Sequence, residues 1–97
     1  MLKHVVLFKF KDSEDKFVQM QQIKIKLENL VDCIDELKSM EVGININPQE
    51  SWDLTLSCCV ETMEDLDKYS NHPAHIKVAK ELIAPIKLDR SCVDFLF

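Results

Sequence analysis

Tyr69, His72 and His75 place a phenol and two imidazoles within seven consecutive positions of the chain. Histidine changes its charge near neutral pH, so these side chains could transfer protons or bind a metal ion. The spacing of three between His72 and His75 would suit two metal ligands, but no third ligand with a matching spacing lies nearby in the sequence. We therefore expect no metal. Two interpretations remain, acid–base chemistry and helix-end residues without a chemical role.

His75 begins an apolar stripe on a predicted helix, because Ala79 lies four residues further on and Leu82 continues the series. If this stripe faces inward, His75 could remove a proton from a carbon next to a carbonyl group. Tyr69 could then hydrogen-bond the developing enolate oxygen. The alternative is a core histidine whose ring is satisfied by Asp94, by Tyr69 or by a backbone carbonyl.

The other two histidines have simpler interpretations. His72 directly precedes Pro73, and a residue before proline is disfavoured in helical geometry, which favours a structural role at the start of a helix. His4 lies on the first predicted strand, beside the last one. We expect it to pair with Asp94. The favoured role of this pair is that of a buried polar pair, and a catalytic relay is the alternative.

The first half of the chain predicts a strand, a helix and a second strand. Residues 2–10 and 39–46 alternate apolar and polar side chains, as strands do. The helix lies within residues 12–31, with Asp12 or Ser13 as its N-cap. Its apolar positions recur at intervals of three and four and should pack on the first strand. They are Phe17, Met20, Ile23, Leu27, Leu30 and Ile34.

The second half predicts two more strands, over residues 52–61 and 90–97, with helical segments between them. Thr62 is a capping residue for the first helical segment. Pro73 suits the first turn of the next helix, and Pro85 ends that helix within a few residues.

The resulting order β-α-β-β-α-β is the split βαβ pattern of ferredoxin-like α+β folds, with both helices on one face of a four-stranded antiparallel sheet. We expect a single domain over residues 1–97. The opposite sheet face is predicted to be apolar, so a second copy of the domain is the simplest way to cover it. We expect Trp52 to be an anchor or a dimer contact. The residues that create this apolar face are Val5, Leu7, Val93, Phe95 and Phe97.

Composition narrows the classes of partner. The chain has 97 residues, of which 46% are hydrophobic and 30% charged, as in ordinary globular domains. The net charge of -5 argues against nucleic acid or an anionic membrane as a partner. No apolar run has the length of a membrane span, and the N-terminus is charged too early for a signal peptide, so we expect a cytoplasmic protein.

Four cysteines occur without any paired metal spacing, and we expect buried, reduced thiols. A vicinal redox pair at Cys58–Cys59 is the alternative. The chain has one glycine and therefore no glycine-rich phosphate loop, and we expect no cofactor.

Three segments, in this order along essentially the whole chain, resemble the stress-responsive A/B barrel (Dabb) family of dimeric α+β barrels. They are MLKHVVLFKFKD at residues 1–12, WDLTLSCCVET at 52–62 and LDKYSNHPAHIKVAKELIAPI at 66–86. The Y-x-x-H-P-x-H motif at residues 69–75 is the most specific of these signals. The resemblance implies a homodimer in which two sheets pack face to face.

The polyketide cyclase of this family uses a histidine and a tyrosine of the motif to promote an intramolecular aldol condensation without a cofactor. The resemblance therefore implies that His75 and Tyr69 are the catalytic candidates, with a small apolar or aromatic ligand bound between the sheet and the helices. The other residues that it implies around the ligand are His4, Val6, Phe8, Phe17, Met20, His72 and Asp94.

This chain departs from the cyclase in its first helix, where Gln, Ile and Lys mostly replace aromatic residues, and it lacks the cyclase's tryptophan after the motif. The substrate need not be shared. We expect a stress-responsive A/B barrel homodimer with a small, mostly apolar, ligand-binding pocket. The alternatives are a cofactor-free lyase or cyclase that uses His75 and Tyr69 on a β-keto substrate, or a cofactor-free monooxygenase, since such enzymes share dimeric barrels of this kind.

Overall fold

The computed structural model describes residues 1–97 and contains four strands and three helices. The strands are β1 (Leu2–Phe10), β2 (Ser39–Ile44), β3 (Leu54–Val60) and β4 (Lys87–Leu96). The helices are α1 (Lys16–Glu28), α2 (Met63–Ser70) and α3 (Pro73–Val78). A 3₁₀ turn at Asn29–Asp32 follows α1, and a π-helical turn at Ala79–Ile83 follows α3. No helix has the length and apolar character needed to cross a membrane.

The four strands form one sheet in the order β2-β3-β1-β4, and every neighbouring pair is antiparallel. The helices cover one face of this sheet, so the predicted ferredoxin-like α+β fold is confirmed. β1 is central, and His4 lies opposite Cys58 of β3 on one side and Asp94 of β4 on the other. This register brings the first and last strands together at the candidate site.

The core lies between the helices and the even-numbered residues of β1. Every second residue of β1 and of β3 is buried, which is the pattern of strands with one covered face. Met20, Ile23 and Leu27 of α1 pack on this face and are at most 7% exposed. His4 is the one buried residue of the chain that is polar or charged.

The odd-numbered residues of β1 and β4 form an open face that no element covers. Val5 and Leu7 are half-buried, whereas Val93, Phe95 and Phe97 are 62%, 43% and 60% exposed. The predicted apolar second face is therefore present on the single chain. Trp52 lies on the same side, with its ring 4.9 Å from the Lys9 ammonium group.

The first helix starts later than predicted. α1 begins at Lys16 with Asp15 as its N-cap, and no side chain caps it. Asp12 instead accepts a hydrogen bond from the Lys16 ammonium group at 2.9 Å. No residue of the first turn is buried, and Phe17 is 58% exposed, so its predicted packing on β1 is wrong. The physical reason is that Phe17 lies in the first turn, at the outer edge of the helix stripe that Met20, Ile23 and Leu27 bury.

The later helix ends follow the sequence prediction. Thr62 caps α2, because its hydroxyl accepts a hydrogen bond from the Asp65 amide at 3.1 Å. Pro73 is the first residue of α3, and the helical segment ends before Pro85. β4 begins at Lys87, three residues earlier than expected.

All four cysteines are free thiols, but the prediction that all of them are buried is wrong. Cys58 is fully buried on β3, and Cys59 is half-buried because it points to the open face. Cys33 and Cys92 are exposed. Cys33 lies in the turn after α1, and Cys92 lies on β4, an edge strand whose residues are all exposed.

Candidate functional site

The fold brings His4, Tyr69, His75 and Asp94 together under α2 and α3. The Tyr69 and His75 rings are 4.6 Å apart between centroids, and the His4 ring meets the Tyr69 ring edge-on at 6.4 Å. Asp94 accepts from His4, with 2.5 Å between the carboxylate oxygen Oδ1 and Nδ1. The sheet register explains this pair, because the two residues are direct partners across β1 and β4.

His75 is held in one tautomer by the backbone. Its Nδ1 lies 2.9 Å from the Ser70 carbonyl oxygen. A carbonyl oxygen can only accept, so Nδ1 carries the proton and Nε2 of the neutral ring is an acceptor. Burial lowers the pKa of His75, and electrostatic interactions with His4, Arg90 and His72 lower it further, although the hydrogen bond to Ser70 acts in the opposite direction. The ring is therefore neutral at neutral pH.

Tyr69 contributes a buried hydroxyl group that no protein atom satisfies. The residue is 1% exposed at the end of α2, and its hydroxyl has no hydrogen-bond partner. Burial raises its pKa, and the nearby Cys58 thiol raises it further, so the phenol stays protonated. An unsatisfied buried hydroxyl is costly, and such groups in native proteins often serve a ligand or a buried water.

The His72 side chain caps the first turn of α3. Its Nδ1 accepts a hydrogen bond from the Ala74 amide at 3.0 Å, which satisfies one of the free amide groups of the first turn. This is the structural role that the following proline favoured. The side chain is half-buried and does not line the cavity described below.

Cys92 joins the His4–Asp94 pair, which sequence reasoning missed. Its sulfur lies 3.5 Å from Nδ1 of His4 and 3.6 Å from Oδ1 of Asp94. The signal was available, since Cys92 precedes Asp94 by two residues and strand side chains repeat every two. Imidazole, thiolate and carboxylate can share one metal ion, and these three donors lie within 4.8 Å of one another. In this arrangement, however, the histidine and the carboxylate bind each other directly.

A cavity of about 220 Å³ opens beside His75, between the sheet and the end of α3. Most of its wall is apolar. The lining side chains are Val6, Phe8, Leu27, Leu56, His75, Ala79, Lys80, Ile83, Ala84, Lys87 and Arg90.

The π-helical turn after α3 supplies one wall of this cavity. The Ala84 amide donates to the Ala79 carbonyl at 2.8 Å, five residues back, which widens the helix by one residue. Ala79, Lys80, Ile83 and Ala84 of this segment all line the cavity. Pro85 follows directly, and it has no backbone N–H with which to continue the helical hydrogen bonds. Single π-turns of this kind occur often at functional sites.

The structure places most of the predicted site residues either in the cavity wall or in the polar cluster. Val6, Phe8 and His75 line the cavity. His4, Tyr69 and Asp94 form the polar cluster around His75, whereas Met20 is 7% exposed in the core. Phe17 and His72 lie outside both groups. Arg90 was missed, although its side chain lies on the same side of β4 as that of Asp94. Lys80 was missed too, although it lies three residues before Ile83 and four before Ala84, the spacing of one helical face.

A second concavity of about 330 Å³ lies on the open face. Leu7, Gly43, Trp52 and Thr55 are among its lining residues, and none of the histidines is. A sheet that packs on the open face would cover it. The cavity beside His75 is therefore the candidate ligand site.

Residues 2–97 match the family model described as the stress responsive A/B barrel domain. A curated relative from Arabidopsis thaliana, described as a stress-response A/B barrel domain-containing protein, is 27% identical over 104 residues. That alignment covers 99% of this chain but 36% of the relative, so the chain spans about a third of the relative's length.

Two solved structures show how far the fold is shared. A dimeric protein of unknown function with a ferredoxin-like fold, from Bacteroides fragilis, is 37% identical with a TM-score of 0.93, covering 99% of this chain and 95% of that one. A hydroxynitrile lyase from Passiflora edulis is 18% identical with a TM-score of 0.80, covering 99% of this chain and 92% of that one. At that identity, the likeness to the lyase concerns the fold alone.

Proposed function

This chain belongs to the stress-responsive A/B barrel family, and from that premise we propose that it is a homodimer that binds a small, mostly apolar organic molecule in the cavity beside His75. The observation that carries the proposal is the cavity itself. It combines an apolar wall with a histidine whose free ring nitrogen can accept a hydrogen bond. Ligand sites are usually concave, mostly apolar and provided with a few polar groups of this kind.

The dimer is supported by the open face. Val93 and Phe95 of β4 and Phe97 just beyond it are large, exposed and on the same side, and a similar solved structure from Bacteroides fragilis is described as dimeric. Burying such area stabilises an assembly by roughly 25 cal/mol per Å² of apolar surface. Light scattering at micromolar concentration should give twice the chain mass of 11.3 kDa. A folded protein that stays monomeric would overturn this part of the proposal.

Binding is tested by blocking the cavity. We would measure thermal stabilisation by a panel of small β-keto and phenolic compounds. Ala79→Phe places a ring in the cavity wall, and it should remove the stabilisation that active compounds give to the native protein. Lys26→Phe adds the same ring at an exposed position of α1 and should leave binding intact. Stabilisation that survives Ala79→Phe would place the ligand elsewhere.

A second candidate function is proton abstraction by a cofactor-free lyase or cyclase. The neutral His75 ring favours it, because Nε2 could take a proton from a carbon next to a carbonyl group. The electron pair of the broken C–H bond moves to the carbonyl oxygen, and the enolate then attacks a second carbonyl or expels a leaving group. Tyr69 is the candidate donor to the enolate oxygen, since its protonated hydroxyl has no partner in the protein.

Exchange of α-hydrogens for deuterium, followed by NMR on a bound β-keto compound, tests this candidate directly. His75→Ala should slow the exchange by about 10²- to 10⁴-fold, the usual contribution of a general base, while the dimer stays folded. His72→Asn is the matched control, because asparagine removes the imidazole and can keep the N-cap of α3, and it should exchange at the native rate. If His75→Ala lowers the melting temperature and the native protein catalyses no exchange, His75 is a structural residue.

A further inference from the structure

The cavity beside His75 has a buried apolar end and an exposed cationic mouth. Its deeply buried lining side chains are at most 5% exposed and are all hydrocarbon: Val6, Phe8, Leu27, Leu56 and Ile83. Its exposed lining side chains include Lys80, Lys87 and Arg90. No aspartate or glutamate lines the cavity. A ligand that fits both ends must carry apolar atoms at one end and negative charge at the other.

None of these three cations is held in an ion pair within the chain. The five ion pairs of the protein involve His4, Lys16, Lys24 and Lys68 as the basic partners, and none involves Lys80, Lys87 or Arg90. The chain as a whole is acidic, with 17 aspartates and glutamates against 12 lysines and arginines. Three unpaired cations at one cavity therefore run against the average composition of the surface.

Protection of a sheet edge does not account for the whole set. Lys87 and Arg90 lie on β4, an edge strand, and charges there discourage pairing with another chain. Lys80 lies on the π-helical turn across the cavity, where no strand edge needs protection. What the three residues share is the cavity mouth.

We propose that the cavity selects a small organic monocarboxylate, which rests on the proposed binding function and names its ligand class. The apolar body enters between the sheet and the π-helical turn, and the carboxylate stays at the mouth. Arg90 is suited to this role because a guanidinium group binds a carboxylate with two parallel hydrogen bonds. The volume of about 220 Å³ limits the ligand to a compact acid, since pockets for drug-sized molecules measure roughly 300–1,000 Å³.

Calorimetry with two matched probes tests the charge preference. Para-propylbenzoate and para-propylbenzamide have the same apolar body and differ in the charge of one group. The native protein should bind the benzoate at least about tenfold more tightly, the factor that a charge-assisted hydrogen bond typically contributes. High salt should weaken the benzoate alone.

Variants test whether the preference for the carboxylate comes from the cations at the cavity mouth. Changing Lys80, Lys87 and Arg90 together to glutamine should bring the benzoate and benzamide affinities close together. Lys77→Gln removes one exposed positive charge of α3 that does not line the cavity, and it should keep the preference. Melting curves of each variant show that the fold is intact.

These experiments distinguish a failure of the proposed ligand class from a failure of the proposed binding function. Equal affinities for the two probes in the native protein, or a preference that the triple variant keeps, would overturn the carboxylate class. If Ala79→Phe then abolished binding of both probes, the cavity would still be the binding site. If neither probe bound the native protein, the carboxylate class would be overturned, and the panel of neutral compounds would decide the binding function.

Discussion

At the scale of single residues, burial sets the chemistry of the histidine–tyrosine cluster. It lowers the pKa of His75 and raises the pKa of Tyr69, so both side chains are neutral at neutral pH. His75 then accepts at Nε2 and Tyr69 donates from its hydroxyl. Asp94 accepts a hydrogen bond from His4, whose ring lies next to that of Tyr69. His75 and Tyr69 can therefore accept and donate hydrogen bonds without either side chain carrying a charge into the protein interior.

Tyr69→Phe should leave stability unchanged or raise it. The substitution removes a buried hydroxyl that has no partner and keeps the ring, so the free energy of unfolding should rise by up to about 1 kcal/mol. Urea unfolding measures this. Tyr69→Leu is the control that also loses ring packing, and it should be destabilised. A clear loss of stability in Tyr69→Phe would show that the hydroxyl has a partner, such as a buried water.

His75 should make stability depend on pH. Its pKa in the folded protein lies below its ordinary value of 6.5, so the unfolded chain binds more protons between the two values. The free energy of unfolding should therefore decrease as the pH falls from about 7 towards the folded pKa. His75→Gln removes this titration and should flatten that part of the curve, measured by urea unfolding at a series of pH values. An unchanged slope would contradict a buried neutral histidine.

At the scale of elements, two short helices hold the cluster, and both depend on their first turns. α2 has eight residues and α3 has six, lengths that are not stable as isolated helices. In each helix a side chain accepts a hydrogen bond from a backbone amide of the first turn. The side chain is Thr62 in α2 and His72 in α3. α2 carries Tyr69 and α3 carries His75, so these caps also position the candidate site.

Thr62→Ala should destabilise the protein by about 1 kcal/mol, the usual cost of losing a helix N-cap. The lost interaction is the hydrogen bond from the Asp65 amide to the threonine hydroxyl at 3.1 Å. Thr62→Ser keeps an equivalent hydroxyl and should stay within a few tenths of a kcal/mol of the native protein. Urea unfolding of both variants separates the cap from other effects, and equal stability of the two would refute the capping role.

At the scale of the whole molecule, the two faces of the sheet have different tasks. One face carries the core, the cluster and the cavity beside His75. The other is apolar at Val93, Phe95 and Phe97 and has no cover within the chain. A second sheet on this open face would bury those residues and the concavity around Trp52, and it would leave the cationic mouth on the other face accessible.

Phe95→Glu should break the proposed dimer, because the interface would then have to bury a carboxylate in place of an apolar ring of the open face. Light scattering should then report the mass of a single chain. Val18→Glu is the matched control, since Val18 is 53% exposed on α1, away from the sheet. It should remain dimeric. A Phe95→Glu protein with the mass of two chains would show that this face is not the interface.

The sequence by itself determined what depends on local periodicity. Alternation in β1 and β3 identified the strands and their buried faces, and Thr62 and Pro73 marked the helix starts. Parity also predicted the apolar open face, because side chains of a strand point alternately to its two sides. The Y-x-x-H-P-x-H motif located Tyr69 and His75 before any contact was known.

Only the tertiary structure decided what depends on residues far apart in the chain. The exposure of Phe17 follows from how α1 lies on the sheet, which leaves its first turn outside the core. The place of Cys92 beside His4 follows from the register of two strands at opposite ends of the chain. The cavity brings Lys80 of the π-helical turn together with Lys87 and Arg90 of β4, and local periodicity does not define how two elements lie relative to each other. The neutral tautomer of His75 likewise depends on one carbonyl, that of Ser70, whose direction only the folded backbone fixes.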